Sequence, residues 1–186
     1  MKEQLLNFFN SIHPLSDELK TQLSFYLKTQ EFKAKRHLLK EGEICNYIYF
    51  IEKGLARSYY VKDAEEICSW FMKEGDVVIS VDSFYNKKPS NERIQAIEDT
   101  VVHFIHYDEL QLLYKRFIEF NIIGRLLTEK YYQLSEERLF SMRKQKAVER
   151  YDYLFLHHEE IVKRVPRKYI ASYLGITDET LSRIKK

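Results

Sequence analysis

The sequence predicts an α+β chain. Its parts are an N-terminal jelly-roll barrel (a double-stranded β-helix) with flanking helices, a long helix, and a C-terminal helix-turn-helix unit. Three observations carry this. Between about residues 30 and 107, short apolar runs recur with glycine-bearing turns between them, the pattern of an antiparallel barrel or sandwich. From Asp108 to about Met142 the apolar period becomes helical. The last 21 residues hold two short segments, each with one apolar face, joined at Gly175.

In chain order, Leu5, Leu6, Phe8 and Phe9 give the N-terminus an apolar face, Pro14 interrupts it, and Ser16 is placed to cap a helix over Asp17–Leu27. Strands are expected at Tyr47–Ile51, Leu55–Val61, Glu66–Met72, Ile94–Ile97 and Val101–Ile105. Glu52–Gly54, Lys62–Glu65 and Lys73–Asp76 supply the turns. On the helix that follows, Phe120, Ile123, Leu127, Tyr131 and Leu134 succeed one another at spacings of 3, 4, 4 and 3, a coiled-coil-like seam. Such a stripe packs on the chain's own barrel or on a second copy. A helix this long outspans a small barrel, so a homodimer interface is expected. Arg143–Lys146 breaks the rhythm and is the expected hinge, followed by a helix with Val148, Tyr151, Leu154 and Phe155 inward. The chain then divides as 1–107 barrel, 108–142 dimerisation helix and 143–186 helix-turn-helix domain.

In the C-terminal unit Pro166 suits the first position of a helix, and Ile170, Ala171 and Leu174 form its apolar face. Gly175 supplies a left-handed residue, Ile176 fills the corner and Thr177 caps a second helix, in which Leu181 and Ile184 point back to the first. Glu179, Thr180 and Arg183 share the opposite face. In a helix-turn-helix that face enters the DNA major groove, where arginine can pair with guanine and glutamate can accept from cytosine. Equally, Glu179 and Arg183 can form an i, i+4 ion pair while Asp178 complements the helix dipole, and in the free protein the two readings are compatible. Phosphate contacts are expected from Arg167, Lys168, Thr177 and Lys185; Asp178 and Ser182 complete the predicted DNA-binding set.

Charge supports this division. The net charge of +2 averages two unlike parts: residues 1–142 carry 19 Lys/Arg against 22 Asp/Glu, and residues 143–186 carry 11 against six. A basic tip on a slightly acidic body points to a polyanion partner. Two cysteines are too few for a disulfide framework, and no apolar run spans a membrane or forms a secretory leader, so a cytoplasmic protein is expected. His103 with His106 and His157 with His158 have no companion ligands in metal-site spacing, so structural roles are expected and no metal site is assigned. Phosphate-loop, nucleophile-elbow and zincin motifs are missing, so no catalytic residues are assigned and an enzyme is not expected.

The string Ile170-Ala-Ser-Tyr-Leu-Gly-Ile-Thr-Asp-Glu-Thr-Leu-Ser-Arg183, with Tyr49–Arg57 and Lys73–Asp76 in the barrel, resembles the Crp/Fnr family of bacterial transcription regulators, and the likeness extends over essentially the whole chain. The resemblance implies a homodimer joined through the long helix, double-stranded DNA with a near-palindromic site as partner, RNA polymerase as a further partner, and a small-molecule effector in the barrel. The effector pocket would map to Val78, Ile79, Ser80, Pro89, Ser90 and Arg93. Members that bind cyclic AMP hold the ribose with a Gly-Glu pair and the cyclic phosphate with Arg-Ser; here Ile79-Ser80 and Pro89-Ser90 stand in those places. One hydroxyl does not replace a bidentate arginine, and Arg93, three residues on, is the available substitute. The pocket is therefore read as degenerate, and cyclic AMP is not the expected effector. The family's oxygen-sensing branch needs four cysteine ligands, which two cysteines 23 positions apart do not supply. The alternative function is a ligand-sensing or protein-interaction module without DNA binding, motivated by the short distance from Arg183 to Lys186, which leaves little room for a β-wing.

Overall fold

The structure, a computed structural model, describes residues 2–184. Helices α1 (Lys2–Ile12) and α2 (Asp17–Tyr26) come first, and the Ser16 side chain accepts from the Leu19 N–H to cap α2. Eight strands follow: β1 (Lys28–Phe32), β2 (His37–Leu39), β3 (Tyr47–Lys53), β4 (Ala56–Lys62), β5 (Glu65–Met72), β6 (Val77–Val78), β7 (Arg93–Ala96) and β8 (Thr100–His106). They form two four-stranded antiparallel sheets, ordered β1-β8-β3-β6 and β2-β7-β4-β5. A short helix α3 (Val81–Asn86) lies between β6 and β7.

The strands expected from sequence fall within a residue or two of those observed. Missed were β1, β2, β6 and α3, which are short or polar and carry little period of their own. At the β3–β4 turn Gly54 has φ +103, and a Cβ there would come within 2.6 Å of Thr100 Oγ1, so only glycine fits.

The apolar period after Asp108 is not one helix. It splits into α4 (Tyr107–Arg116) and α5 (Ile118–Lys144) at Phe117, whose backbone is extended while its ring is buried in the barrel core. The Asn121 side-chain amide donates to the carbonyls of Tyr114 and Phe117 and satisfies the broken end. The seam assigned to a second copy also needs correction. Phe120 and Ile123 are buried in the chain's own core, Leu127 packs against it, and the Tyr131 hydroxyl donates to Asp76 and accepts from the Val77 N–H at 2.8 Å. Leu134, on the same side, is half-buried. From Phe120 to Tyr131 the stripe therefore packs on the barrel, whose apolar wall covers it. In the core the Phe9 ring meets those of Phe50 and Phe120 in T-shaped contacts at 5.2 and 5.9 Å, tying α1, β3 and α5 together.

The chain ends in α6 (Ala147–His157), α7 (Glu159–Arg164), α8 (Arg167–Leu174) and α9 (Asp178–Ile184). On α6 only Leu154 is buried; Val148 and Phe155, expected inward, are exposed because the small bundle offers one narrow face. Leu154, Ile161, Val165, Ile170, Ala171, Leu174 and Leu181 make a second core, to which the barrel contributes Leu55, Cys68 and Phe71. Among the described residues no helix is long and apolar enough to cross a membrane.

Candidate nucleic-acid interface and effector cavity

Helices α8 and α9 meet at Gly175, which adopts φ +65. The Gly175 N–H donates to the Ser172 carbonyl and the Ile176 N–H to that of Ala171, each at 3.0 Å, so the end of α8 is satisfied in a Schellman-type turn. A Cβ on Gly175 would lie 2.8 Å from Met142 Cε, so the turn also nests against the end of α5. Thr177 Oγ1 accepts from the Thr180 N–H and caps α9. Pro166 sits one position before the first helical residue. Ile170 and Leu181 are fully buried between the two helices.

On the outer side Thr177, Asp178, Glu179 and Arg183 are exposed, and Thr180 and Ser182 are half-buried. Glu179 and Arg183 form no ion pair among the described residues. Asp178 instead takes both Arg167 nitrogens, Nε at 2.9 Å and Nη2 at 2.5 Å, which joins the first turns of α8 and α9. This pairing holds the Asp178 carboxyl below its usual range. Arg167 thus begins in an ion pair that a phosphate would have to displace, whereas Lys168 is exposed beside the Tyr169 ring. Ser182 Oγ donates to the Asp178 carbonyl within its own helix. Lys185 lies outside the described residues.

No local pattern in the sequence shows how α8 is fastened to the barrel. Ser172 Oγ accepts from the Cys68 N–H and donates to the Glu66 carbonyl, both at 2.9 Å. Arg138 of α5 donates to the carbonyls of Ser69 and Tyr173, bridging β5 and α8. Arg57 of β4, only 1% exposed, lies flat between the Tyr59 and Tyr169 rings, its guanidinium carbon 4.0 and 3.5 Å from their centres. It also donates to Glu66 and Gln95, while its Nη1 has no hydrogen-bond partner among the described residues. From α7, Arg164 makes a bidentate pair with Glu74 and a further bond to Glu98. These bonds hold the Glu74 carboxyl down to about 2. Cys68 is sealed in the same seam, and burial pushes its thiol up to about 12, so it is a packing residue and not a reactive one.

In the barrel a cavity of about 420 Å³ opens beside the end of β4 and the start of α3. Its walls include Glu41, Tyr60, Val61, Ser80, Asp82, Ser83, Pro89, Asn91 and Glu92. Of the residues assigned from sequence, Ser80 and Pro89 line it. Ser90 stands behind Ser80, their hydroxyls 3.0 Å apart. Arg93 reaches the wall only through its ion pair with Glu41 at 3.0 Å. Val78 is fully buried and packs in the core, with half-buried Ile79 against it, and neither lines the cavity. The carboxylates were missed; Asp82 and Glu92 flank the assigned positions closely enough that a charge count over residues 79–93 would have found them.

His106 caps α4 through its ring, and buried His103 sits 2.9 Å from Thr29 Oγ1 and 3.0 Å from Glu52 Oε2. Among the described residues no three His, Cys, Asp or Glu side chains are grouped to hold a metal ion.

Residues 29–117 match the family described as cyclic nucleotide-binding domain. Comparison with curated proteins finds no match. Among solved structures the chain is similar to FixK2 from Bradyrhizobium japonicum, with 21% identity, 86% of this chain and 82% of that one covered, and a TM-score of 0.73. It is also similar to a protein from Eubacterium rectale assigned to the Crp/Fnr family, at 18% identity over 96% and 85% of the two chains, TM-score 0.74. The catabolite activator protein of Thermus thermophilus matches at 17% identity over 96% and 84%, TM-score 0.57. At these identities the likeness is one of fold.

Proposed function

We propose that this chain is a homodimeric, sequence-specific DNA-binding transcription regulator whose barrel senses a small molecule. The observation that carries the reading is the polar outer face of α9, braced from behind by the buried Leu181 and Ile170. The regulator function of the Crp/Fnr-family structures that the fold resembles is carried over here as part of the proposal. Division into a barrel at 1–107, a linking helix and a DNA-binding domain at 143–186 is supported by the helix break at Gln145–Lys146.

In this reading Glu179, Thr180 and Arg183 read bases, while Lys168, Thr177, Lys185 and an Arg167 released from Asp178 hold phosphates. Arg183→Ala should then lower affinity for the selected site by about 10- to 100-fold, equivalent to roughly 1–3 kcal/mol, and leave salt-sensitive non-specific binding in place. An anisotropy titration that finds unchanged affinity for the selected site would remove Arg183 from the base-reading role.

The partner-facing side of α5 is the one opposite the barrel. Ile118, Tyr132, Leu139 and Phe140 are exposed there, with Ile122 and Leu126 half-buried between them. A two-fold axis along this face would set the two α9 helices about one DNA turn, roughly 34 Å, apart. Phe140→Lys should convert a dimer to a monomer at micromolar concentration in sedimentation equilibrium. The ring is 56% exposed, so the fold itself should survive. Dimers persisting in that variant would place the interface elsewhere.

The seam between α8 and β5 favours a second reading, an effector-binding or interaction module whose terminal helices serve the barrel. Selection from random genomic fragments separates the two: enrichment of a near-palindrome supports the regulator, and its failure supports the module.

A further inference from the structure

The lining of the barrel cavity is the wrong sign for a nucleotide. Among the described residues its side chains include three carboxylates, Glu41, Asp82 and Glu92, and no lysine or arginine. Glu41 and Asp82 are each balanced from outside the cavity, by Arg93 at 3.0 Å and Lys88 at 2.7 Å. Glu92 is different. The nearby Ser80 and Ser58 hydroxyls favour its charged form, and no cation pairs with it among the described residues. The cavity therefore presents one uncompensated carboxylate, backed by neutral donors.

A cyclic phosphate brought here would meet the uncompensated Glu92 carboxylate, with no unpaired guanidinium among the described lining residues to offset it. An ammonium or guanidinium group would find the opposite: a carboxylate for the charge, with the Tyr60 hydroxyl and the Asn91 amide as neutral neighbours and Val61 and Pro89 as the apolar part of the wall. The volume of about 420 Å³ is of the size that takes a small metabolite.

We propose that this cavity binds a small organic cation, an aliphatic amine or guanidine, in contact with Glu92. The proposal rests on reading the barrel as the sensing half of the protein. Burial raises the Glu92 carboxyl above its usual range, which is how a carboxylate lacking a counter-ion behaves. The position is also connected. Ser58 Oγ lies 2.8 Å from Ser69 Oγ, the Ser69 carbonyl accepts from Arg138, and Arg138 donates on to the Tyr173 carbonyl of α8. These contacts run from Ser58 on β4 through Ser69 and Arg138 to α8.

The test is isothermal titration of the full chain with putrescine, agmatine and cyclic AMP at physiological ionic strength. The expected result is saturable binding of putrescine or agmatine, weakened at least tenfold by Glu92→Gln, with no saturable binding of cyclic AMP. Asn91→Arg, at the exposed rim, should cause the same loss by adding a competing cation, and it replaces the first variant if Glu92→Gln does not fold. Saturable cyclic AMP binding, neither amine binding, or amine binding unchanged in the folded variants would each overturn the proposal. Binding is read without DNA, so amine binding with no operator enrichment would sink the regulator reading alone. Enrichment without amine binding would sink only this one.

Discussion

Arg57→Ala should destabilise the protein by about 3 kcal/mol and detach α8 from the barrel. The residue lies between two tyrosine rings, one on the barrel and one on α8, and truncation removes both stacking contacts at once. It also leaves a void where a long side chain was almost wholly enclosed. Two considerations keep the effect from being larger. The abandoned Glu66 side chain is 41% exposed and can rehydrate, and the Nη1 of Arg57 already lacks a partner among the described residues. Arg57→Lys should fall between, keeping the charge and losing the flat face. Urea unfolding gives the energy, and hydrogen exchange of α8 gives the detachment. A loss below about 1 kcal/mol with α8 still protected would mean that Ser172 and Arg138 hold the seam without it.

Leu181→Ala should cost about 3 kcal/mol, since the side chain is fully enclosed between α8 and α9. Among the described residues ten buried side chains make up the second core, so the loss is large for that unit and small for the barrel. The expected outcome is melted terminal helices on an intact barrel: helical circular dichroism reduced, the Trp70 environment on β5 changed little and, under the proposed regulator function, DNA binding lost. Full DNA affinity in this variant would contradict the bracing role given to Leu181.

The barrel was legible because its longer strands carry clear apolar runs, as Tyr47–Ile51 and Glu66–Met72 do. The terminal helix pair was legible because Gly175 and the positions of Ile170, Leu174 and Leu181 repeat a helical period on either side of a forced turn. What periodicity could not supply was the choice of partner for an apolar stripe. Phe120, Ile123, Leu127, Tyr131 and Leu134 were read as a seam between copies; four of the five contact the barrel, and the unpaired side carries Ile118, Tyr132 and Phe140 instead. Nor could it show Phe117 breaking the helix, because an aromatic at that spacing fits the helical pattern and leaves it only when its ring is drawn into the core. Polar residues that act across long separations, such as Ser172 on Cys68 and Arg57 on Tyr169, leave no local trace at all.

The bonds made by Ser172 bear on more than the position of α8. Among the described residues β5 is the outermost strand of its sheet, with β4 on one side and no strand on the other. An open flank of that kind presents unpaired N–H and C=O groups to which any extended chain can add. At Cys68 and Glu66 a single serine hydroxyl does what a neighbouring strand would do, donating to one group and accepting from the other. The terminal helices thus act as a guard against strand addition. A barrel cut after Gln145 would lose that guard along with Leu174 and Tyr173, and its natural failure is self-association through β5, even with every barrel residue still in place.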